Sequence, residues 1–284
     1  MANEELLVQQ PFKGKFAIIA GGSKGMGKAT AKLFVQLGGS ICIIARGMDA
    51  LKETQDECNK LKLEESQFVE IISCDTTNMA KLKPLITDVI NKHKVPDYLF
   101  NFVGYAYVQY LEQLTLEDFK RNMNINYYGQ LVPTLIILPY FLEAKNGYIT
   151  LTSSVLGFYG IMGYATYVPS KYAIFGLAEV LRHELLPYNI KISILFPADT
   201  DTPGFEEENK LKPPECAIIS ETGKVMTAEV VADEFIKSIL KERFEILPGE
   251  ADFQLKSKRE DPVSFRAVLD SLYKRARRKT GRKI

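Results

Sequence analysis

Ser154, Tyr167 and Lys171 stand near the middle of this chain, the last two within the run Tyr-Val-Pro-Ser-Lys. Residues four apart on a helix share one face. An ammonium on that face can lower a phenol's pKa toward working pH and make the phenol a usable proton donor. A serine thirteen residues before the tyrosine, just after a predicted strand, can reach the same substrate oxygen. Delivery of a proton to a carbonyl is the chemistry this trio suggests. A Tyr-x-x-x-Lys pair alone is a common pattern, so its weight depends on its surroundings.

The surroundings include a nucleotide site. A predicted strand is followed by Ala20-Gly21-Gly22-Ser23-Lys24-Gly25-Met26-Gly27 and then a predicted helix. Glycines there permit a tight turn and let the backbone approach a pyrophosphate at the helix's positive N-terminus. A plain glycine-rich turn is the bland alternative, but position after the first strand favours nucleotide binding. The second strand ends at Arg46. An acid at that place would bind the ribose hydroxyls of NAD, whereas a cation accepts a 2′-phosphate. Arg46 and Lys24 therefore favour NADPH, unless both are simply solvated surface cations. Asp75, after the third strand, suits either an adenine contact or an Asx turn.

The elements that must hold these residues alternate regularly. Apolar runs predict strands over 16–20, 41–45, 68–73, 98–103, 148–152, 192–196 and 244–247. Helical patterns fall between them, over 28–37, 50–61, 79–92, 116–143, 167–186 and 228–240. Near-continuous apolar strands separated by helices indicate a parallel sheet covered on both faces. The expected fold is a single doubly wound, Rossmann-type α/β domain over 12–250, with a mainly parallel seven-stranded sheet. Residues 202–226 form a long insert that reads as a substrate lid. Residues 251–284 form a polar extension, weakly helical around 263–273, ending in a basic tail.

Composition narrows the function classes. The chain is 46% hydrophobic and 25% charged, the balance of an ordinary globular protein. A net charge of +1 gives the molecule no general affinity for nucleic acid, which is an unlikely partner. His93 and His183 are the only histidines and lie far apart, so a His-based metal site or a Ser-His-Asp triad is not expected. Cys42, Cys58, Cys74 and Cys216 form no Cys-x-x-Cys pair and read as free core thiols. The N-terminus lacks a signal-peptide layout, and no run reaches the ~18 apolar residues of a membrane span. Seven cations between Lys274 and Lys283 suit an anionic lipid surface, nucleic acid, or a solubilising terminus.

Together these residues resemble the short-chain dehydrogenase/reductase family. Gly21, Gly25 and Gly27 fit its glycine loop, with Ala20 in place of the usual Thr. Asn101-Phe102-Val103-Gly104 partly fits its Asn-Asn-Ala-Gly segment, and Pro197 to Thr202 fits Pro-Gly-x-x-x-Thr with Ala198 for Gly. The resemblance implies a catalytic set of Asn126, Ser154, Tyr167 and Lys171. It implies NADPH held by Gly21, Ser23, Lys24, Gly25, Met26, Gly27, Arg46, Asp75, Asn101, Gly104, Tyr167, Lys171, Pro197 and Thr202. Asn126 would mark a break in its helix and place a water beside the lysine, and many members pair into homo-oligomers. The segments at 175–179, 186–189, 197–205, 207–213 and 219–222 resemble the branch that reduces a long-chain sphingoid ketone at the cytosolic face of the endoplasmic reticulum membrane. That branch usually carries apolar membrane segments, which this sequence lacks. Ile161, Met162, Tyr164, Val168 and Phe205 are candidates for an alkyl channel, although such residues are more often ordinary core. A reductase of steroids, retinoids or another lipid ketone, and a catalytically silent nucleotide sensor, are the alternatives.

Overall fold

The computed structural model describes residues 4–282. In chain order the elements begin α1 (Glu4–Gln9), β1 (Phe16–Ala20), α2 (Gly25–Gln36), β2 (Ser40–Ala45), α3 (Met48–Asn59), β3 (Val69–Ser73), α4 (Met79–Lys92) and β4 (Tyr98–Asn101). They continue α5 (Leu116–Met123), α6 (Gly129–Ala144), β5 (Gly147–Thr152), α7 (Tyr167–Glu184), β6 (Ile190–Leu195) and β7 (Thr200–Asp201). The last are α8 (Pro203–Leu211), α9 (Pro214–Ser220), β8 (Met226–Thr227), α10 (Ala228–Leu240), β9 (Glu245–Ile246), α11 (Ala251–Glu260) and α12 (Pro262–Thr280).

The main sheet runs β3-β2-β1-β4-β5-β6-β9, and every ladder in it is parallel. Strand alternation divides its side chains between two cores. Ile18, Leu99 and Ile149 sit in register and join the core with α4, α6 and α7. Ile19, Phe100 and Tyr148 face the opposite core with α2, α3 and α10. Burial on both faces explains why the strands read as continuous apolar runs. The four cysteines are buried and free.

Three departures from the expected elements bear on function. The predicted helix over 116–143 is broken by a π-helical turn at Asn124–Tyr128, which contains Asn126. Such turns leave backbone groups without ordinary helical partners and recur at functional sites. The insert over 202–226 is not a structureless loop. It holds α8 and α9 and returns to pair β7 with β8.

The extension is far more ordered than its composition suggests. Asp261 caps α12 by accepting from Ser264 N, Pro262 stands at the first helical position, and Gly281 ends the helix in the left-handed region. Ala251 and Leu255 of α11 belong to the main core. The basic stretch from Lys274 onward lies on α12, and Lys283 lies outside the described residues.

Candidate active site

One cavity of about 1240 Å³ opens along the carboxyl ends of the sheet strands. Its wall takes Gly21 after β1, Arg46 after β2, Asp75 after β3, Gly104 after β4, Ser154 after β5 and Pro197 after β6. Ligands of open α/β sheets bind in this crevice. A single small-molecule site spans roughly 300–1,000 Å³, so this volume suits two ligands side by side.

The glycine loop forms one end. Gly21 has φ of +79° and Gly25 of +52°, conformations that a side chain strains. A Cβ on Gly27 would come within 2.3 Å of Gly21 O, so this glycine lets α2 pack directly on the turn. A Cβ on Gly25 would meet Thr202 Cγ2 at 2.9 Å, which brings the loop against the first residue of the lid. Lys24, at the N-cap of α2, makes no side-chain cap, leaving the first helical N–H groups directed at the cavity. Ser23, Met26 and Gly27 line the same end. Lys24 and Arg46 are exposed at the cavity wall, and neither has an acidic partner among the described residues. The cradle and the two unpaired cations fit a dinucleotide bearing an extra phosphate. Asp75 lines the cavity while its Oδ1 accepts from Thr77 N at 2.9 Å, so the Asx turn is real.

Tyr167 and Lys171 open α7 on one face, and Ser154 follows β5. All three line the cavity beside Gly104, where a Cβ would stand 3.2 Å from Lys171 Nζ. Lys171 is buried and donates to Thr152 O at 3.0 Å; its Nζ lies 5.4 Å from the Tyr167 ring centroid. Ser153 Oγ donates to Lys171 O at 2.8 Å and ties this turn of α7 to the end of β5.

Two expected site residues stand behind the wall. Asn126 does not line the cavity. Its Nδ2 donates to Tyr105 O at 2.9 Å and Ser170 Oγ at 2.8 Å, while Oδ1 accepts from Tyr105 N at 2.7 Å. These bonds clamp the π-helical turn to the loop after β4 at Tyr105 and to α7. Asn101 is buried within the sheet, with Nδ2 donating to Thr150 O at 3.1 Å, because strand alternation turns it away from the cleft. It supports the fold under the site and does not line the cavity.

The electrostatics correct the simple expectation of a depressed phenol. Burial pushes the Tyr167 phenol well above the usual tyrosine value, and the Glu208 carboxylate adds to the shift. Ser154 and Lys171 do not reverse it. Burial also lowers Lys171 to about 7 from its ordinary 10.5. The unfolded chain therefore binds this proton more tightly than the folded one. Stability should rise with pH between about 7 and 10.5, by up to about 1.4 kcal/mol per pH unit for that proton, with the full cost present below 7. Lys171→Met is expected to flatten this slope. In urea titrations the variant should exceed wild type at pH 7 and converge with it near pH 10; parallel curves would refute a buried, charge-resisting Lys171.

The lid supplies residues that the sequence reading did not assign. Tyr164 Oη donates to Glu208 Oε1 at 2.6 Å, and Lys212 pairs with Glu208 at 3.1 Å. Lys212 Nζ donates to Ser220 Oγ at 2.9 Å, which donates to Asp199 Oδ2 at 2.6 Å. This chain of polar contacts seats α8 and α9 beside Tyr167. Of the candidate channel residues, Ile161, Tyr164 and Phe205 line the main cavity, whereas Met162 and Val168 line a smaller neighbouring one. The far wall comes from α11 and α12, through Phe253, Phe265, Val268, Leu269 and Leu272.

Comparison with known proteins agrees with this geometry. Residues 15–212 match the family described as short chain dehydrogenase. The chain is 37% identical to a 3-ketodihydrosphingosine reductase of Dictyostelium discoideum, over 80% of this chain and 72% of that one. It is 36% identical to a 3-dehydrosphinganine reductase of Danio rerio, over 84% of this chain and 73% of that one. Its fold superposes with a TM-score of 0.77 on a short chain dehydrogenase/reductase from Burkholderia phymatum solved in complex with NAD, at 24% identity over 88% of this chain and 94% of that one.

Proposed function

Because the chain belongs to the short-chain dehydrogenase/reductase family, we propose that it reduces the C3 ketone of 3-ketodihydrosphingosine to the alcohol, dihydrosphingosine, with NADPH supplying the hydride. As an oxidoreductase of this family it uses a nicotinamide dinucleotide; the choice of NADPH rests on Arg46 and Lys24 at the cavity wall. The observation that carries the reading is one continuous cavity joining the glycine loop to Ser154, Tyr167 and Lys171, in a chain whose relatives bear this activity in their names.

Hydride addition leaves negative charge on the carbonyl oxygen, and donors already aimed at that oxygen lower the barrier. Tyr167 gives its phenolic proton to the oxygen. Ser154 holds the carbonyl in place by donating a hydrogen bond. Lys171 in its protonated form stabilises the phenolate left behind and passes a replacement proton inward. Asn126 fixes the turn that presents Tyr105 and backs α7 through Ser170, so its role is to position. Residues 12–250 carry this chemistry, with 202–226 as the lid, and α11 and α12 of the extension close the substrate side. Thr202 would hold the carboxamide of the nicotinamide.

The substrate and its surroundings set the location. Among the described residues no helix is long and apolar enough to cross a membrane. A lipid substrate and a basic face on α12, where Lys274, Arg275, Arg278 and Lys279 are exposed, support work at an anionic membrane surface. We place it at the cytosolic face of the endoplasmic reticulum. Exposed Leu135 on α6 and Tyr172 and Val180 on α7 suit pairing of two copies.

The direct test follows NADPH absorbance with 3-ketodihydrosphingosine in detergent, beside a panel of steroid and retinoid ketones. Oxidation confined to the sphingoid ketone is the expected result. Oxidation with a steroid or retinoid instead would move the substrate, and NADPH binding with no oxidation would favour a silent sensor.

A further inference from the structure

The family match ends at residue 212, yet the cavity continues past it to α11 and α12. On α12 the apolar cavity-lining residues are Phe265, Val268, Leu269 and Leu272, spaced i, i+3, i+4 and i+7, which is one face of a helix, and Ser264 lines the cavity beside them. That face stands out because α12 is otherwise mostly polar, with seven of its fifteen remaining positions charged. The wall is held in place from both ends. Phe265 packs edge-on against Tyr159 at 5.2 Å between ring centroids. At the other end Thr280 Oγ1 donates to Glu215 Oε1 at 2.6 Å, joining α12 to the lid helix α9. Val268 is 59% exposed, so the face also reaches the mouth of the cavity.

From this continuity we infer that the α12 face holds the saturated alkyl chain of the substrate and sets the enzyme's preference for chain length. The inference rests on the sphingoid-ketone reading and adds the residues that recognise the tail. The head of the substrate reacts beside Tyr167, so a tail long enough to cross the cavity meets α12. The part of this face left open to the cavity is covered when the tail arrives, and each methylene moved from water onto it should raise kcat/KM about fourfold. A short tail ends before the wall and gains nothing from it.

The test uses the full chain and a series of 3-keto amines that share one head and differ in tail length, below their micelle concentrations. Wild type should show kcat/KM climbing with length until the wall is covered. Leu269→Asp should cut the rate on the longest tail by roughly 10²-fold, and the loss should shrink as the tail shortens. Val268→Asp changes an exposed position that folding does not depend on, and should lower the long-tail rate about tenfold. Affinity for a saturated long-chain amine, measured by calorimetry with no turnover, gives a second readout. If wild type reduces none of the ketones, the functional reading fails, while weaker amine binding by both variants would still support the α12 wall. Unchanged amine affinity, or a chain-length slope equal to wild type in both variants, would overturn it.

Discussion

Tyr167→Phe is expected to reduce ketone-dependent NADPH oxidation by roughly 10²–10⁴-fold, the usual contribution of a positioned general acid, with NADPH affinity changed by less than about threefold. The ring remains, so its packing at 5.9 Å from the Tyr164 ring should survive and the melting temperature should stay within a few degrees. Tyr105, Tyr159 and Tyr164 line the same cavity; Tyr164 packs against Tyr167, and the geometry distinguishes these two. The Tyr164 hydroxyl proton is already donated to Glu208 at 2.6 Å, and burial with that carboxylate holds the phenol far above its usual value. Giving that proton to a substrate would place a phenolate beside a carboxylate. Tyr167 shares its helix face with Lys171, whose protonated form can receive the charge. Tyr164→Phe should therefore cost no more than about tenfold, through loss of the lid contact. If Tyr164→Phe cost more than Tyr167→Phe, the assignment of the acid would be wrong. Both measurements belong below pH 7, where Lys171 is mostly protonated.

The residues that were legible in the sequence are those whose role is local. Gly21, Gly25 and Gly27 act through backbone conformation and close approach within a single turn, so their spacing carries the information. Tyr167 and Lys171 share a face because a helix repeats every 3.6 residues. The strands were legible because burial on both faces leaves them no polar side. What escaped depends on distant partners. The family resemblance implies the helix break at Asn126, but its partners Tyr105 and Ser170 lie on other elements, and nothing in the residues around 126 names them. The Tyr167 phenol is raised by burial, with a further contribution from the Glu208 carboxylate that the lid brings in. The α12 wall was hidden for a third reason. Its apolar residues are diluted by lysines and arginines, and their partner is a cavity assembled from other segments, so the stretch resembles a solvated tail. Asn101 shows the reverse case, since a motif assigns it to the cofactor while its buried side-chain amide donates to Thr150 O on the neighbouring strand.

Arg46→Asp should reverse the choice of cofactor. Arg46 directly follows β2 at the cavity wall and has no acidic partner among the described residues, so its charge is available to a ligand. Hydrogen bonds to charged groups contribute about 1.5–3 kcal/mol, which corresponds to roughly 10–10²-fold in NADPH affinity. The substituted carboxylate also repels a 2′-phosphate and can accept from the ribose hydroxyls of NADH. The ratio of kcat/KM for NADPH to that for NADH should thus fall by roughly 10³-fold. Lys24 sits in the glycine loop across from Arg46 and shares the task less directly, because its flexible ammonium offers no bidentate fork. Lys24→Ala should lower NADPH affinity by about tenfold and leave NADH affinity nearly unchanged. The salt dependence separates specific recognition from general attraction. Wild type should lose NADPH affinity with rising salt more steeply than NADH affinity, and Arg46→Asp should abolish that difference. Equal use of the two cofactors by wild type, or a ratio that Arg46→Asp leaves in place, would mean that the two cations are solvated surface charges and that the phosphate is read elsewhere.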